Sequence, residues 1–558
     1  MRLEVVRGTF DDFIQRARIV LSERILVNMR QAVRDREPLI WALALVLGIV
    51  VGYATIAFRW AIGIVQYPWL GTTSERVFEA AQMTPWWLII LAPTVGGVFV
   101  GYILDRYMPS RRGQGVADVI EAQALNGCRV DTKTGLLSAG LSAVSLGAGA
   151  SVGREGPVVH LGATLASMVE QRFKLTVKAR RTLTGSAVAG AVSASFNAPI
   201  AGVLFAHEVV LGHYSFRALV PTIISSVTAA VVARVHLGNY PAFKMVEQDI
   251  SSYWEFPAFA LLGMVCALMA IIFQLSVITA ERVTWRFDVP LWARCGFGGL
   301  VVGVIGTQFP QVLSVGYDAT EQALYGNLPL GLLLALIAAK TAATAISLAS
   351  RFVGGVFSPS LLLGALTGSA FGIVAINAFP SLGSAQELYA VLGMGAVAAA
   401  VLGAPLSTTM IVFELTGGFN ITIALLLTVS IACGLSQAVL DQSFFHWQLA
   451  KRGIFLTDGP HKSIMRCLRV ADFMKTADAE QIASWQARMA AQREQIMADA
   501  GGGGAIELPS SGSKMPIGAS GGQQGQFEAQ RMPVTLTAND TLDRALRAFA
   551  DSGLGVLP

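Results

Sequence analysis

Four uninterrupted apolar runs, "LIWALALVLGIVVGYATIAF" (39–58), "WWLIILAPTVGGVFVGYIL" (86–104), "FALLGMVCALMAIIFQLSVI" (259–278) and "ITIALLLTVSIACGLSQAVL" (421–440), restrict this chain more than any other feature. Each is long enough to cross about 30 Å of hydrocarbon as a helix. A water-soluble globule could not hide them, because only 14% of the 558 residues are charged, 53% are hydrophobic, and the mean hydropathy is +0.57. The spacing predicts an all-α polytopic membrane protein. Around 135–150, 183–206 and 353–378 the apolar runs are short or cut by Gly and Pro. Such breaks are tolerated at membrane depth where the freed backbone groups are buried in protein or line a cavity.

Basic residues flank the spans unevenly. Arg2, Arg7, Arg16, Arg18, Arg24, Arg30, Arg34 and Arg36 precede the first span, and Lys451, Arg452, Lys462, Arg466 and Arg469 follow the last. The positive-inside rule places both ends in the cytoplasm. Residues 1–38 form a cytoplasmic segment that either lies along the membrane surface or stands as a solvated helix. No cleavable signal peptide opens the chain. The cysteines at 128, 266, 295, 433 and 467 have neither metal-ligand nor disulfide spacing.

The sequence repeats itself. Gly153, Pro157, Gly162 and Ala163 recur as Gly355, Pro359, Gly364 and Ala365, 202 residues later. "NAPIAGVLFAHE" (197–208) and "GAPLSTTMIVFE" (403–414) share Ala-Pro and a terminal Glu, 206 residues apart. Two pairs in the same order at nearly one offset predict a duplication, with halves near 85–240 and 295–445. Paired Gly/Pro-interrupted segments in two halves point to a substrate site near the bilayer midplane, built from helices that start inside the membrane. Pro157 and Pro359 suit first helical turns. Gly153 and Gly156 let backbone approach a ligand closely, and helix starts present N–H groups and a positive dipole end to an anion. Gly153, Arg154, Gly156 and Pro157, then Gly355, Val356, Phe357, Ser358 and Pro359, and the turn Gly113, Gln114, Gly115 are therefore candidate anion-binding residues. Glu155 fits such a site: its carboxylate can occupy the anion position, and protonation or a swing aside vacates it.

These residues resemble the CLC family of chloride channels and chloride/proton antiporters. "GREGP" (153–157) matches the family's G-[KR]-E-G-P, "GVFSP" (355–359) its G-x-F-x-P, and "NAPIAGVLFAHE" its N-x-P-x-A-G-x-x-F-x-x-E segment. "GQGVA" (113–117) stands where the family has G-S-G-I-P. The resemblance runs from about 40 to 453 and implies an inverted-repeat domain over 39–453, a homodimer with one pore per subunit, Glu155 as gate, and Phe357 beside the central anion. Departures accompany it. Gln114 replaces the anion-binding serine, and Phe445 stands where the pore tyrosine falls. Val209 stands at the inner glutamate position of proton-coupled members. His207 and Glu208 beside it are candidates for a substitute proton path or for plain helix packing.

Loss of that inner carboxylate favours passive chloride conduction, with chloride/proton antiport by a non-standard inner path as the alternative. A fluoride exporter fits less well, because that branch departs from both signatures kept here. A membrane-embedded enzyme would need a nucleophile and base. Gly149-x-Ser151-x-Gly153 spells a hydrolase elbow, but inside a small-residue helix rather than after a strand. No cofactor, metal or nucleic acid is implied. The expected partners are chloride or similar anions, the lipid bilayer and a second copy of the chain.

Past residue 453 the composition changes. Residues 454–499 read as a cytoplasmic lead-in, 500–530 as a disordered Gly/Ser-rich linker, and 531–558 as a partial CBS-like strand, helix and strand. The body of that domain is incomplete within 25 residues, which implies a longer parent chain or a natural lack of the remainder. Nucleotide would bind only if a complete CBS pair exists.

Overall fold

The computed structural model describes residues 36–238, 250, 252–380, 384–416 and 421–455. The segments at 454–499, 500–530 and 531–558 therefore lie outside the described residues, apart from 454 and 455, as does most of 1–38. The helices of the first half are α1 (Glu37–Leu70), α2 (Val77–Met83), α3 (Trp86–Tyr107), α4 (Val116–Ala124), α5 (Thr132–Gly147), α6 (Glu155–Phe173), α7 (Val177–Phe196), α8 (Pro199–Phe205) and α9 (Phe216–Leu237). The second half continues with α10 (Phe256–Thr284), α11 (Leu291–Gln308), α12 (Tyr317–Leu324), α13 (Leu330–Ala349), α14 (Phe357–Ala378), α15 (Gln386–Leu402), α16 (Pro405–Thr416), α17 (Thr422–Leu440) and α18 (Phe444–Ala450).

Seven helices among the described residues are long and apolar enough to cross a membrane, and they include all four runs singled out above. α10 shows why such helices are apolar all round. Phe259, Leu262, Cys266, Phe273 and Val277 are buried, while Leu261, Met264, Leu268, Ile272 and Leu275 are exposed at helical spacing. One face packs inward and the other meets lipid. The run at 353–378, expected to be short or cut by Gly and Pro, is broken at its start, over 351–356, and then holds a full span, the 22 residues of α14. Interior helices meet closely through small residues, since lipid gives helices no hydrophobic reason to associate. At Gly368 an added Cβ would lie 2.0 Å from the Tyr389 carbonyl oxygen, so α14 and α15 pack at a separation only glycine permits.

Two reciprocal contacts show the two-fold relation of the halves. Gly153 N–H donates to the Gly355 carbonyl and Gly355 N–H to the Gly153 carbonyl, each at 2.7 Å. At α8, whose first residue is Pro199, the Glu414 carboxylate accepts from Ile200 N (3.1 Å) and Ala201 N (2.7 Å). At α16, begun by Pro405, Glu208 accepts from Leu406 N (3.1 Å) and Ser407 N (2.7 Å). Residue i contacting j while j's counterpart contacts i's is the mark of a two-fold axis. The fold is an all-α inverted repeat with broken helices, and its axis passes between the starts of α6 and α14.

Candidate functional site

Glu155 is the first residue of α6 and is buried at 4% exposure. Ser358 Oγ, on the first turn of α14, donates to Glu155 Oε1, and Tyr317 OH donates to the same oxygen at 3.3 Å. Oε2 has no hydrogen-bond partner. A Cβ on Gly153 would stand 2.8 Å from Oε2 and 3.1 Å from Ser358 N, so glycine is what lets the carboxylate fold back against the start of α14. Pro157 and Pro359 are each the third residue of their helix, where a missing N–H costs nothing. The carboxylate thus lies where the backbone of two opposed helix starts meets.

A cavity of about 380 Å³ reaches Glu155 from one side. Its walls carry Gly113, Gln114, Gly115, Gly156, Gly355, Val356, Phe357 and Phe445, so most of the residues expected to hold an anion share one space. Phe445 is buried at 7% and supplies a ring without a hydroxyl. Phe357 packs on Phe196 at a centroid distance of 4.9 Å. A second cavity, about 730 Å³, is walled by Arg59, Glu75, Arg76, Arg154, Ser195, Tyr317, Asp318 and Glu321. Arg154 and Tyr317 in that wall both reach Glu155. Glu155 therefore stands between two vestibules.

Arg154 reaches the site, and two other expectations change. Arg154, one of the candidate anion-binding residues, has its Nε 3.9 Å from Glu155 Oε1, and its guanidinium stacks 4.9 Å over the Tyr317 ring. The Gly113–Gly115 turn has little free N–H to offer: Gln114 N donates to Ser138 Oγ (2.8 Å) and Gly115 N to Asp118 (2.9 Å), whose carboxylate is held by Arg112 and Arg452. The Gln114 side chain still borders the cavity, with its Oε1 unpartnered. The proton-path candidates lie apart. His207 joins His213 O and Thr222 Oγ1 through its two ring nitrogens, Glu208 caps α16, and neither they nor Val209 line either vestibule.

Tyr317, Arg59 and Glu75 were not anticipated. For Tyr317 a signal existed: shifting the 113–117 turn by the repeat offset lands on 315–319, and Gly316 does precede α12 as Gly115 precedes α4. Arg59 and Glu75 carry no local pattern. Ser151 Oγ contacts Thr344 Oγ1 and its N–H meets Ser347 Oγ, a packing role rather than a nucleophile's. Among the described residues no cluster of three His, Cys, Asp or Glu side chains could hold a metal.

Residues 96–437 match the family model described as voltage gated chloride channel. The chain belongs to the CLC family. It is 31% identical over 390 residues to a putative chloride channel protein ClcB-like from Ralstonia nicotianae, covering 69% of this chain and 91% of that one. It is 29% identical over 435 residues to the H(+)/Cl(-) exchange transporter ClcA of Salmonella agona, covering 75% and 90%. The structure of a slow cyanobacterial Cl-/H+ antiporter superposes with a TM-score of 0.66 at 21% identity, over 74% of this chain and 97% of that one, and supports the fold. As a CLC protein the chain is a multi-pass membrane protein of chloride-class anion transport.

Proposed function

We propose that this CLC protein exchanges chloride for protons, with Glu155 as the group that both ions share. The observation that carries the reading is the position of the Glu155 carboxylate: it lies at the meeting of two helix starts and between two vestibules, where it competes with an anion when charged and vacates the place when protonated. The ClcA relatives are named as H(+)/Cl(-) exchange transporters, which favours coupled exchange over the passive conduction expected from the sequence. Protons need not use His207 or Glu208. The first cavity runs directly to Glu155, and its volume exceeds several times the roughly 30 Å³ share of one water, so a chain of ordered water fits.

Passive conduction remains the second reading, favoured by Val209 in place of an inner carboxylate. In the same proposal the protein is a homodimer with one pore per subunit, in a bacterial inner membrane with both termini cytoplasmic, and Gln114, Phe357, Ser358 and Phe445 line the anion's central position. The test is the reversal potential of the reconstituted protein in liposomes at fixed chloride and two pH gradients. Exchange shifts it with the pH gradient. A potential that follows chloride alone establishes the passive reading instead.

A further inference from the structure

In the second vestibule two guanidinium groups converge on one carboxylate. Arg59 Nε and Nη2 donate to Glu75 Oε1 and Oε2, each at 2.9 Å, and Arg154 Nη1 donates to the same Oε1. The partners are held very differently. The Arg154 side chain is 4% exposed and is fixed by the Ser195 carbonyl at 3.2 Å and by the Tyr317 ring. Glu75 is 28% exposed and belongs to the connection between α1 and α2, which the Gln66 amide ties down through the carbonyls of Thr72 (3.4 Å) and Ser74 (2.6 Å). Arg59 is built into α1 and Arg154 caps the start of α6, whereas the anion that neutralises them sits on a surface loop.

Two donors on the same wall are unused. Arg154 Nε and Ser195 Oγ are buried without a hydrogen-bond partner, and Arg154 Nε is also the atom nearest Glu155. Arg154 also holds the Ser195 carbonyl, so the idle N–H and the idle hydroxyl belong to touching residues, and with Glu75 moved aside they can give a small anion charge compensation and two hydrogen bonds. We propose that Arg59, Arg154 and Ser195 form a further site for a small monovalent anion such as chloride, and that the Glu75 carboxylate is its tethered competitor. An anion crossing this vestibule displaces Glu75 before it meets Glu155. Two carboxylates thus stand in series on the path, one on a helix start and one on a loop.

This inference rests on the anion-transport reading and is tested on the side of the membrane that the second vestibule faces. The full chain is reconstituted in planar bilayers, and chloride is varied on one side at a time. Glu75→Gln removes the competitor, so half-maximal chloride on the Glu75 side falls about fivefold, the equivalent of one net hydrogen bond, while the opposite side is unchanged. Ser195→Ala removes a donor that makes no other hydrogen bond, leaves Glu75 in place, and raises half-maximal chloride on the same side by a similar factor. It serves as the deciding variant where Glu75→Gln does not elute as folded protein. No shift in the folded variants, or equal shifts on both sides, overturns the inference. Absence of chloride flux through the unaltered protein overturns the transport reading instead.

Discussion

At Glu155 a single oxygen carries the contacts that hold the carboxylate in place. Oε1 takes hydrogen bonds from Ser358 and Tyr317, and Oε2 takes none. Glu155→Gln removes the charge proposed to compete with chloride, so flux is expected to rise and to lose its dependence on pH, checked by chloride efflux across a pH series. Ser358→Ala removes one hydrogen bond to a charged group, worth about 1.5–3 kcal/mol. It should loosen the carboxylate and raise flux at neutral pH while leaving the pH dependence in place. Unchanged efflux in both variants would mean the carboxylate does not occupy the anion's place. Glu155 and Ser358 were legible in the sequence because glycines and a proline fence them at a spacing that recurs. Tyr317 was legible only through the repeat, and Glu75 not at all: its partners Arg59 and Arg154 lie 16 and 79 residues away, and only the folded backbone brings them together.

The helices explain what became of the inner proton candidates. Glu208 and Glu414 each cap the first turn of the other half's proline-led helix, accepting two N–H groups that would otherwise be orphaned in an apolar setting. Glu208→Gln should therefore lower thermal stability by about 1–2 kcal/mol, read from the loss of monodisperse protein on heating in detergent, and leave the reversal potential unmoved. A shifted reversal potential would return Glu208 to the proton path. The Ala-Pro…Glu pattern showed that the two segments correspond. That each glutamate serves the other segment's helix could not be seen in one dimension, since the same twelve residues read equally well as a glutamate pointing into a pore. The spans were legible wherever apolar runs exceeded the membrane thickness, and least legible at 351–356, where a break and a full helix adjoin.

On the scale of the molecule, the two vestibules differ in charge. The first carries Arg112, Arg351, Lys451 and Arg452 against Asp118, Glu155 and Glu281, so cations outnumber carboxylates; in the second they balance, Arg59, Arg76 and Arg154 facing Glu75, Asp318 and Glu321. A cleft with an excess of one sign concentrates counter-ions, and salt screens that field over about 8 Å at physiological ionic strength. Raising ionic strength with an impermeant salt should slow chloride uptake from the first vestibule at low chloride more than from the second, measured by sided flux. Equal slowing would mean that the one net positive charge left after Lys451 and Arg351 share Glu281 does not act on arriving anions. Between the vestibules, Gly153 and Gly355 are sewn to each other by two backbone hydrogen bonds. In the proposed cycle Glu155 therefore leaves its place by turning its own buried, hydrogen-bonded side chain, while the paired glycines keep their bonds. Such a cycle is timed by the release of that side chain and by the arrival of a proton or an anion, and needs no separation of the two halves at Gly153 and Gly355.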